Sequence, residues 1–173
     1  MQKHIKMSTN LHLATAVVLL LLTASQSGVA MARRVMGGGR DPCSVSDFKV
    51  LCRSVVKGQK NVNAATEVSI RELMKRTIKA KEAAKISRKS GGGLKTCYSN
   101  YDSALENLQK ALQNIKQNDG FSLNINLSAS LTDFDTCNDA MGGGKASNVF
   151  AKSTSTLHEM ADNCLALSTL VKQ

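Results

Sequence analysis

The sequence predicts an all-α protein: an up-down-up-down four-helix bundle, preceded by an N-terminal helical hairpin and held by two disulfides. Three observations predict it. The 173 residues include one proline, no tryptophan, two tyrosines and four phenylalanines, whereas β-sandwiches and barrels use aromatics, β-branched residues and turn prolines freely. Apolar residues recur at helical steps in four long stretches. Short glycine-rich segments join those stretches, which forces consecutive helices to lie antiparallel. At 42% hydrophobic and 21% charged residues, the chain is too apolar to be disordered.

The N-terminus reads as a targeting segment. Lys3, His4 and Lys6 form a positive region, followed by an apolar run of 12 residues, Leu13 to Ala24. A membrane-spanning helix needs about 20 residues; the apolar part of a secretory signal needs about 7–15. Ala30-Met31-Ala32 supplies an A-x-A cleavage pattern. Residues 1–32 are therefore expected to be a signal peptide, and 33–173 a single mature domain with no membrane segment. Two lysines leave with the signal, taking the formal charge from +10 to +8.

Arg33 to Arg40 is basic and glycine-rich, a flexible start. Asp41 to Gly58 holds the predicted hairpin. Asn61 to Lys89 contains no Gly or Pro and is rich in Ala, Glu, Lys and Arg, so it reads as helix. Its apolar positions are Val62, Ala65, Val68, Leu73, Met74, Ile78, Ala84 and Ile86, and Ser90 to Gly93 is read as its terminator. In the next helix, opened by Cys97, an inward stripe is expected from Tyr98, Tyr101, Leu105, Leu108, Leu112 and Ile115. Ser99, Asp102, Ser103, Glu106 and Lys110 then fall outside, and Asn118-Asp119-Gly120 stops it. Ser122 to Met141 is the least regular stretch. Leu127, Leu131 and Phe134 fit the helical period, while Leu123, Ile125 and Leu127 alternate as in a short extended segment. Gly142 to Gly144 breaks the chain. From Ala146, Phe150, Leu157, Met160, Cys164, Leu167 and Val171 mark a last helix.

All five cysteines, Cys43, Cys52, Cys97, Cys137 and Cys164, lie in the mature part. An oxidising compartment makes disulfides the default, and two bridges leave one thiol over. In a continuous helix Cys43 and Cys52 would be roughly 13 Å apart, beyond the ~7 Å a disulfide spans. If they pair, the chain turns back between them. Adjacent antiparallel helices place the start of one beside the end of the next, which favours Cys97 with Cys137. Cys164 then lies over, in an apolar stripe, as a buried free thiol. The spacings are not those of a zinc site, and the mature part has one histidine, His158. No metal or cofactor is expected.

Together these cysteines resemble the frame of the plant invertase and pectin methylesterase inhibitor family. Cys43-x8-Cys52, Cys97-x39-Cys137 and a fifth cysteine in the last helix follow its order. The segment CSVSDFKVLC is similar to the family's Cys-x2-Thr-x-Tyr-Pro-x2-Cys opening, with Ser46, Phe48 and Lys49 at the Thr, Tyr and Pro places. Cys97-Tyr98-x2-Tyr101-x2-Ala104-Leu105 resembles the start of its second bundle helix. Leu127-Ser128-Ala129 and Thr136-Cys137-x-Asp139 resemble its third, and Asn163-Cys164-Leu165-Ala166-Leu167 its last.

The resemblance implies a secreted proteinaceous inhibitor without catalysis, which would lie one-to-one across the substrate cleft of pectin methylesterase in the plant cell wall (apoplast). Acid invertase is the alternative target. The segment from Asp119 to Ala129 is similar to methylesterase inhibitors, and the Pro-Lys-Phe motif of wall invertase inhibitors is absent. By resemblance, target-facing positions are Glu106, Asp119, Thr136 and Asp139. Ser99 and Ser103 depart from the family, standing where its methylesterase inhibitors often present acids. For Asp119 a turn or capping role beside Gly120 competes.

Arg71, Lys75, Arg76, Lys79, Lys81, Lys85, Arg88 and Lys89 crowd one helix and its end. Such a run is a solvated face or, more sharply, a site of weak binding to anionic pectin. A third possibility follows: a basic pectate-binding wall protein that inhibits nothing. Nucleic-acid binding is disfavoured, since aromatics are few and no recognition motif appears. No enzyme is expected either, because no nucleophile-elbow, zincin or P-loop pattern occurs. Asp133 and Asp135 are two apart on a helix and do not face each other; Asp133 is expected to bind surface water. Asn126-Leu127-Ser128 is an N-glycosylation sequon.

Overall fold

The computed structural model describes residues 40–87, 92–142 and 149–172. The expected signal peptide, most of the glycine-rich start, Arg88, Lys89 and the segment 143–148 lie outside the described residues. A 3-10 turn, Pro42–Val45, is followed by α1 (Lys49–Val56), α2 (Val62–Ser87), α3 (Gly92–Gln117), α4 (Gly120–Ala140) and α5 (Val149–Ser168). Each of α2 to α5 packs on its sequence neighbours, and α2 packs on α5, which closes the ring of an up-down-up-down bundle.

Cys43 and Cys52 do pair, and the chain turns back between them to form the hairpin. Asp41 accepts a hydrogen bond from the Cys43 amide at 3.1 Å, and Arg53 Nε donates to its other oxygen at 2.8 Å. Pro42 sits in the first turn, where a missing N–H costs nothing. The Cys43–Cys52 bridge has a Cα–Cα distance of 5.7 Å, and α1 stops at Lys57 and Gly58, both at positive φ. Cys43, Cys52 and Val56 pack with Ala65 of α2 and Leu167 of α5, so the hairpin seats on its own bundle. Ser46, buried, donates to Asn163 Oδ1 of α5, and Asn163 Nδ2 donates to the Phe48 carbonyl at 3.3 Å.

Helix α2 is where large apolar residues misled. Ile78 is 51% exposed and Ile86 is 81% exposed. The buried stripe is Ala65, Thr66, Ser69, Ile70, Leu73, Thr77 and Ala84. Thr66 and Thr77 return their hydroxyls to the carbonyls four residues back, both at 2.8 Å, and so go inside without an unmet donor.

In α3 the seam is shifted by a residue from the expected stripe. Cys97, Tyr101, Ala104, Leu108, Ala111 and Ile115 are buried, while Tyr98, Leu105 and Leu112 flank them half-buried. The helix also begins inside the glycines read as a terminator. The reason is a close approach: a Cβ on Gly93 would lie 2.5 Å from the Ala140 carbonyl oxygen. Glycine here lets the start of α3 press against the end of α4, beside the Cys97–Cys137 bridge, whose Cα atoms are 4.5 Å apart.

Helix α4 is helical from Gly120 onward, with no extended segment. Leu123, Leu127, Ser130, Phe134 and Cys137 are buried at alternating steps of four and three. Ile125 faces out at 51% exposure. Tyr101 and Phe134 meet across the α3–α4 seam with ring centroids 6.1 Å apart. Cys164 of α5 is a free thiol, fully buried, and burial pushes its pKa up.

Gly93→Ala is expected to destabilise the protein by about 1–3 kcal/mol, because the added methyl meets a backbone oxygen rather than a side chain that can move aside. Alanine's better helix propensity, ~1 kcal/mol in a helix interior, opposes this only in part at a first turn. Urea denaturation of the two proteins measures the sign; an unchanged or raised midpoint would contradict the close approach.

Candidate functional site

The outer surface of α3 and α4 forms a continuous face. A disulfide ties it at one end and a two-residue turn, Asn118 and Asp119, closes it at the other. Asn118 takes the left-handed conformation (φ 56°) that ends α3. Cross-links fix the register between. Asn107 Nδ2 donates to Asp133 Oδ2 at 3.3 Å, and Asn126 Nδ2 donates to Asn114 Oδ1 at 2.8 Å.

This register decides which expected positions meet. Glu106 lies on the exposed face of α3, next to Asn107 and therefore level with Asp133. Thr136 and Asp139 are exposed one to two turns further along α4. Glu106, Thr136 and Asp139 thus share the disulfide-bearing half. Asp119 lies 20 residues before Asp139, roughly 30 Å away at a helical rise of about 1.5 Å per residue, and the structure does not bring it to the others.

Asp119 instead caps α4. Its carboxylate accepts a hydrogen bond from the Ser122 amide at 2.9 Å. Hydrogen bonds from Ser122, with help from the Phe121 amide, hold its pKa below the usual carboxylate value. The Thr136 hydroxyl donates to the Thr132 carbonyl at 2.9 Å, which leaves its methyl and its lone pairs outward.

Other groups occupy places the sequence did not assign. Asp133 is half-buried rather than fully exposed: Asn107 donates to it, and burial raises its pKa, opposed by hydrogen bonds from Ser103 and Asn107. Asp135 points the other way, its Oδ1 3.3 Å from His158 Nε2 of α5. Asp102 pairs with Lys81 of α2, whose ammonium also sits 5.3 Å from the centre of the Tyr98 ring. That hydrogen bond from Lys81 to Asp102 is the main cause of the raised pKa of Lys81. The Asn126 side chain is spent on Asn114 and on the Ser122 carbonyl, in mid-helix and half-buried. Toward Asp119 the face turns apolar, with Phe121 65% exposed and Ile125 51% exposed. Their spacing of four, off the Leu123/Leu127 stripe, was the available signal.

Three residues of the basic run on α2 are paired within the helix. Arg71 pairs with Glu67 at 2.7 Å, Arg76 with Glu72 at 2.8 Å and Lys75 with Glu72 at 3.9 Å. Arg76, followed by Lys75 and Lys57, keeps Glu72 below its ordinary pKa. Lys79 and Lys85 make no ion pair among the described residues.

Isolated carboxylates and hydroxyls on a rigid helical face suit contact with another macromolecule. They are not arranged for concerted proton transfer, which needs an acid and a base within hydrogen-bond reach of one reacting group. Among the described residues no group of three or more His, Cys, Asp or Glu is placed to hold a metal ion. The fold and face define a disulfide-stapled helical-bundle binding protein.

The chain matches the plant invertase/pectin methylesterase inhibitor family over residues 40–167 and belongs to that family, one of inhibitors rather than enzymes. Two solved structures share the fold. A mutant form of a pectin methylesterase inhibitor from Arabidopsis is 18% identical with a TM-score of 0.67, over 76% of this chain and 95% of that one. A pectin methylesterase inhibitor from Arabidopsis thaliana is 18% identical with a TM-score of 0.59, over 76% and 93%. No curated protein matches the sequence.

Asp119→Ala is expected to lower the thermal midpoint in the absence of any partner, because an N-cap acceptor is lost, with Asp119→Asn closer to the parent. The lowered pKa sets the pH dependence. The carboxylate's contribution is present above its unfolded pKa and fades as pH falls through the depressed folded value. Glu106→Gln should leave the midpoint unchanged. Melting curves between acid and neutral pH check all three, and equal midpoints for the Asp119 variants and parent would rule out the capping role.

Proposed function

We propose that this protein is a secreted inhibitor of pectin methylesterase that lays its α3/α4 face across the enzyme's substrate cleft, one-to-one, and slows pectin de-esterification in the plant cell wall. The observation that carries the proposal is family membership over residues 40–167. The same segment contains both disulfides and the whole α3/α4 face. Inhibition needs no catalysis from the inhibitor. It needs a surface that loses little entropy on docking, and a doubly stapled bundle has little backbone freedom left to lose.

Export is supported by the N-terminal charge-then-apolar pattern and by two disulfides, which persist in oxidising compartments. Among the described residues no helix is long and apolar enough to cross a membrane. The methylesterase, rather than acid invertase, is favoured by the Asp119 to Ala129 segment. Glu106, Thr136 and Asp139 are the proposed contacts of the disulfide-bearing half. Phe121 and Ile125 supply apolar area at the other, where a buried aromatic anchor contributes most.

Purified disulfide-bonded protein is expected to reduce pectin methylesterase rates at stoichiometric dose and to leave sucrose hydrolysis by acid invertase unchanged. Glu106→Lys with Asp139→Lys should weaken inhibition at least tenfold, about 1.4 kcal/mol, without altering helix content. Full methylesterase activity under excess protein at both acidic and neutral pH would overturn the proposal. Slowed invertase in the parallel assay would then transfer the function to that target. Salt-sensitive sedimentation with pectate, with neither enzyme inhibited, would instead mark a wall-binding protein.

A further inference from the structure

A cavity of about 600 Å³ opens between the end of α2, the start of α3 and the start of α5. None of Glu106, Asp119, Thr136 or Asp139 lines it, so the proposed inhibitory face does not account for it. Its origin is compositional. Ala80, Ala83 and Ala84 stand on the wall of α2 where larger side chains would fill the space, and Leu94, Phe150 and Leu157 complete an apolar lining. The lining is predominantly apolar, and the volume falls within the ~300–1,000 Å³ common for small-molecule sites.

Among the described residues, the charged groups that line it are all of one sign. Arg76 and Lys79 of α2 and Lys152 of α5 contribute to the lining, and no carboxylate does. Arg76 is already engaged by Glu72 at 2.8 Å. Lys79 and Lys152 make no ion pair among the described residues, and they approach the cavity from opposite helices. Lysine stems lie along apolar surface while the ammonium reaches outward, so both bring their charge to the edge of an aliphatic pocket.

We propose that this cavity binds a medium-chain aliphatic carboxylate, with its tail among the alanines and leucines and its head between Lys79 and Lys152. Cationic and neutral amphiphiles of the same length lack the charge complement. The site is independent of inhibition, and its test uses no enzyme.

Titration calorimetry of the full disulfide-bonded protein with octanoate, decanoate and decyltrimethylammonium tests it, at concentrations where none forms micelles. Decanoate is expected to bind one-to-one, roughly tenfold tighter than octanoate for its two extra methylenes, and at least tenfold tighter than decyltrimethylammonium. Lys79→Glu with Lys152→Glu, both exposed positions, should weaken decanoate at least tenfold, and Ala83→Phe should abolish binding by filling the pocket. If Ala83→Phe fails to fold, the charge-reversed pair decides alone. Equal affinity for the two decyl compounds, undiminished binding by the charge-reversed protein, or no saturable heat with decanoate would overturn the proposal. Self-association on this face without decanoate binding would do the same.

Discussion

The grip between α3 and α4 is the constraint on which the proposed docking face depends. Cys97 and Cys137 join their ends, and closing a loop of 40 residues removes chain entropy equivalent to about 4 kcal/mol in the loop model. Gly93 lets the backbones touch at that end. Asn107–Asp133 and Asn126–Asn114 hold the register further along. A slip of one residue would turn Glu106, Thr136 and Asp139 away from a common surface, since neighbouring positions on a helix point about 100° apart. The packing of Tyr101 against Phe134 beneath them sets the depth of the seam.

The hairpin is anchored differently, by polar groups inside the protein. Ser46 and Asn163 satisfy each other in the interior, and Asn163 reaches the partly buried Phe48 carbonyl. A buried polar set of this kind is directional: it accepts one seating of the hairpin and penalises others, which apolar contacts alone do not. Charges on α2 act in the opposite manner. Arg71, Lys75 and Arg76 are exposed and paired with glutamates three or four residues away on the same helix, an arrangement that adds little stability but keeps that side well hydrated.

The bundle and the Cys97–Cys137 bridge were legible because they depend on spacing: cysteine intervals, helical steps and glycine breaks; spacing made the hairpin conditional on Cys43 pairing with Cys52, which the resemblance to the family's cysteine frame implied. The misreadings came where side-chain size and burial parted company. Ile78 and Ile86 lie outside while Thr66 and Thr77 lie inside, since a threonine that bonds its own helix costs little to bury and a lone exposed isoleucine is tolerated. Gly93 was read as a stop because a glycine's reason for being there can be a neighbour 47 residues away. Within the candidate face, Glu106 is outward by periodicity, while Asp139 was reached only through the family resemblance. The capping by Asp119, the bond from Asn107 to Asp133 and the Lys81–Asp102 pair depend on turn geometry and on the neighbouring helix, neither of which one strand of sequence displays. The cavity beside Lys79 and Lys152 likewise needed three elements in place before it existed.

The unpaired cysteine has a bearing on how the chain is made. Chains fold from the N-terminal end as they are synthesised, and Cys52 and Cys137 each follow their partners before Cys164 is added. The order of translation therefore offers each bridge its correct mate first, and the odd sulfur arrives last. Once α5 seats, that thiol is fully enclosed and its deprotonation is disfavoured. It then lacks both the thiolate and the access needed to attack a finished bridge. Its burial works as a latch against scrambling of the two finished bridges.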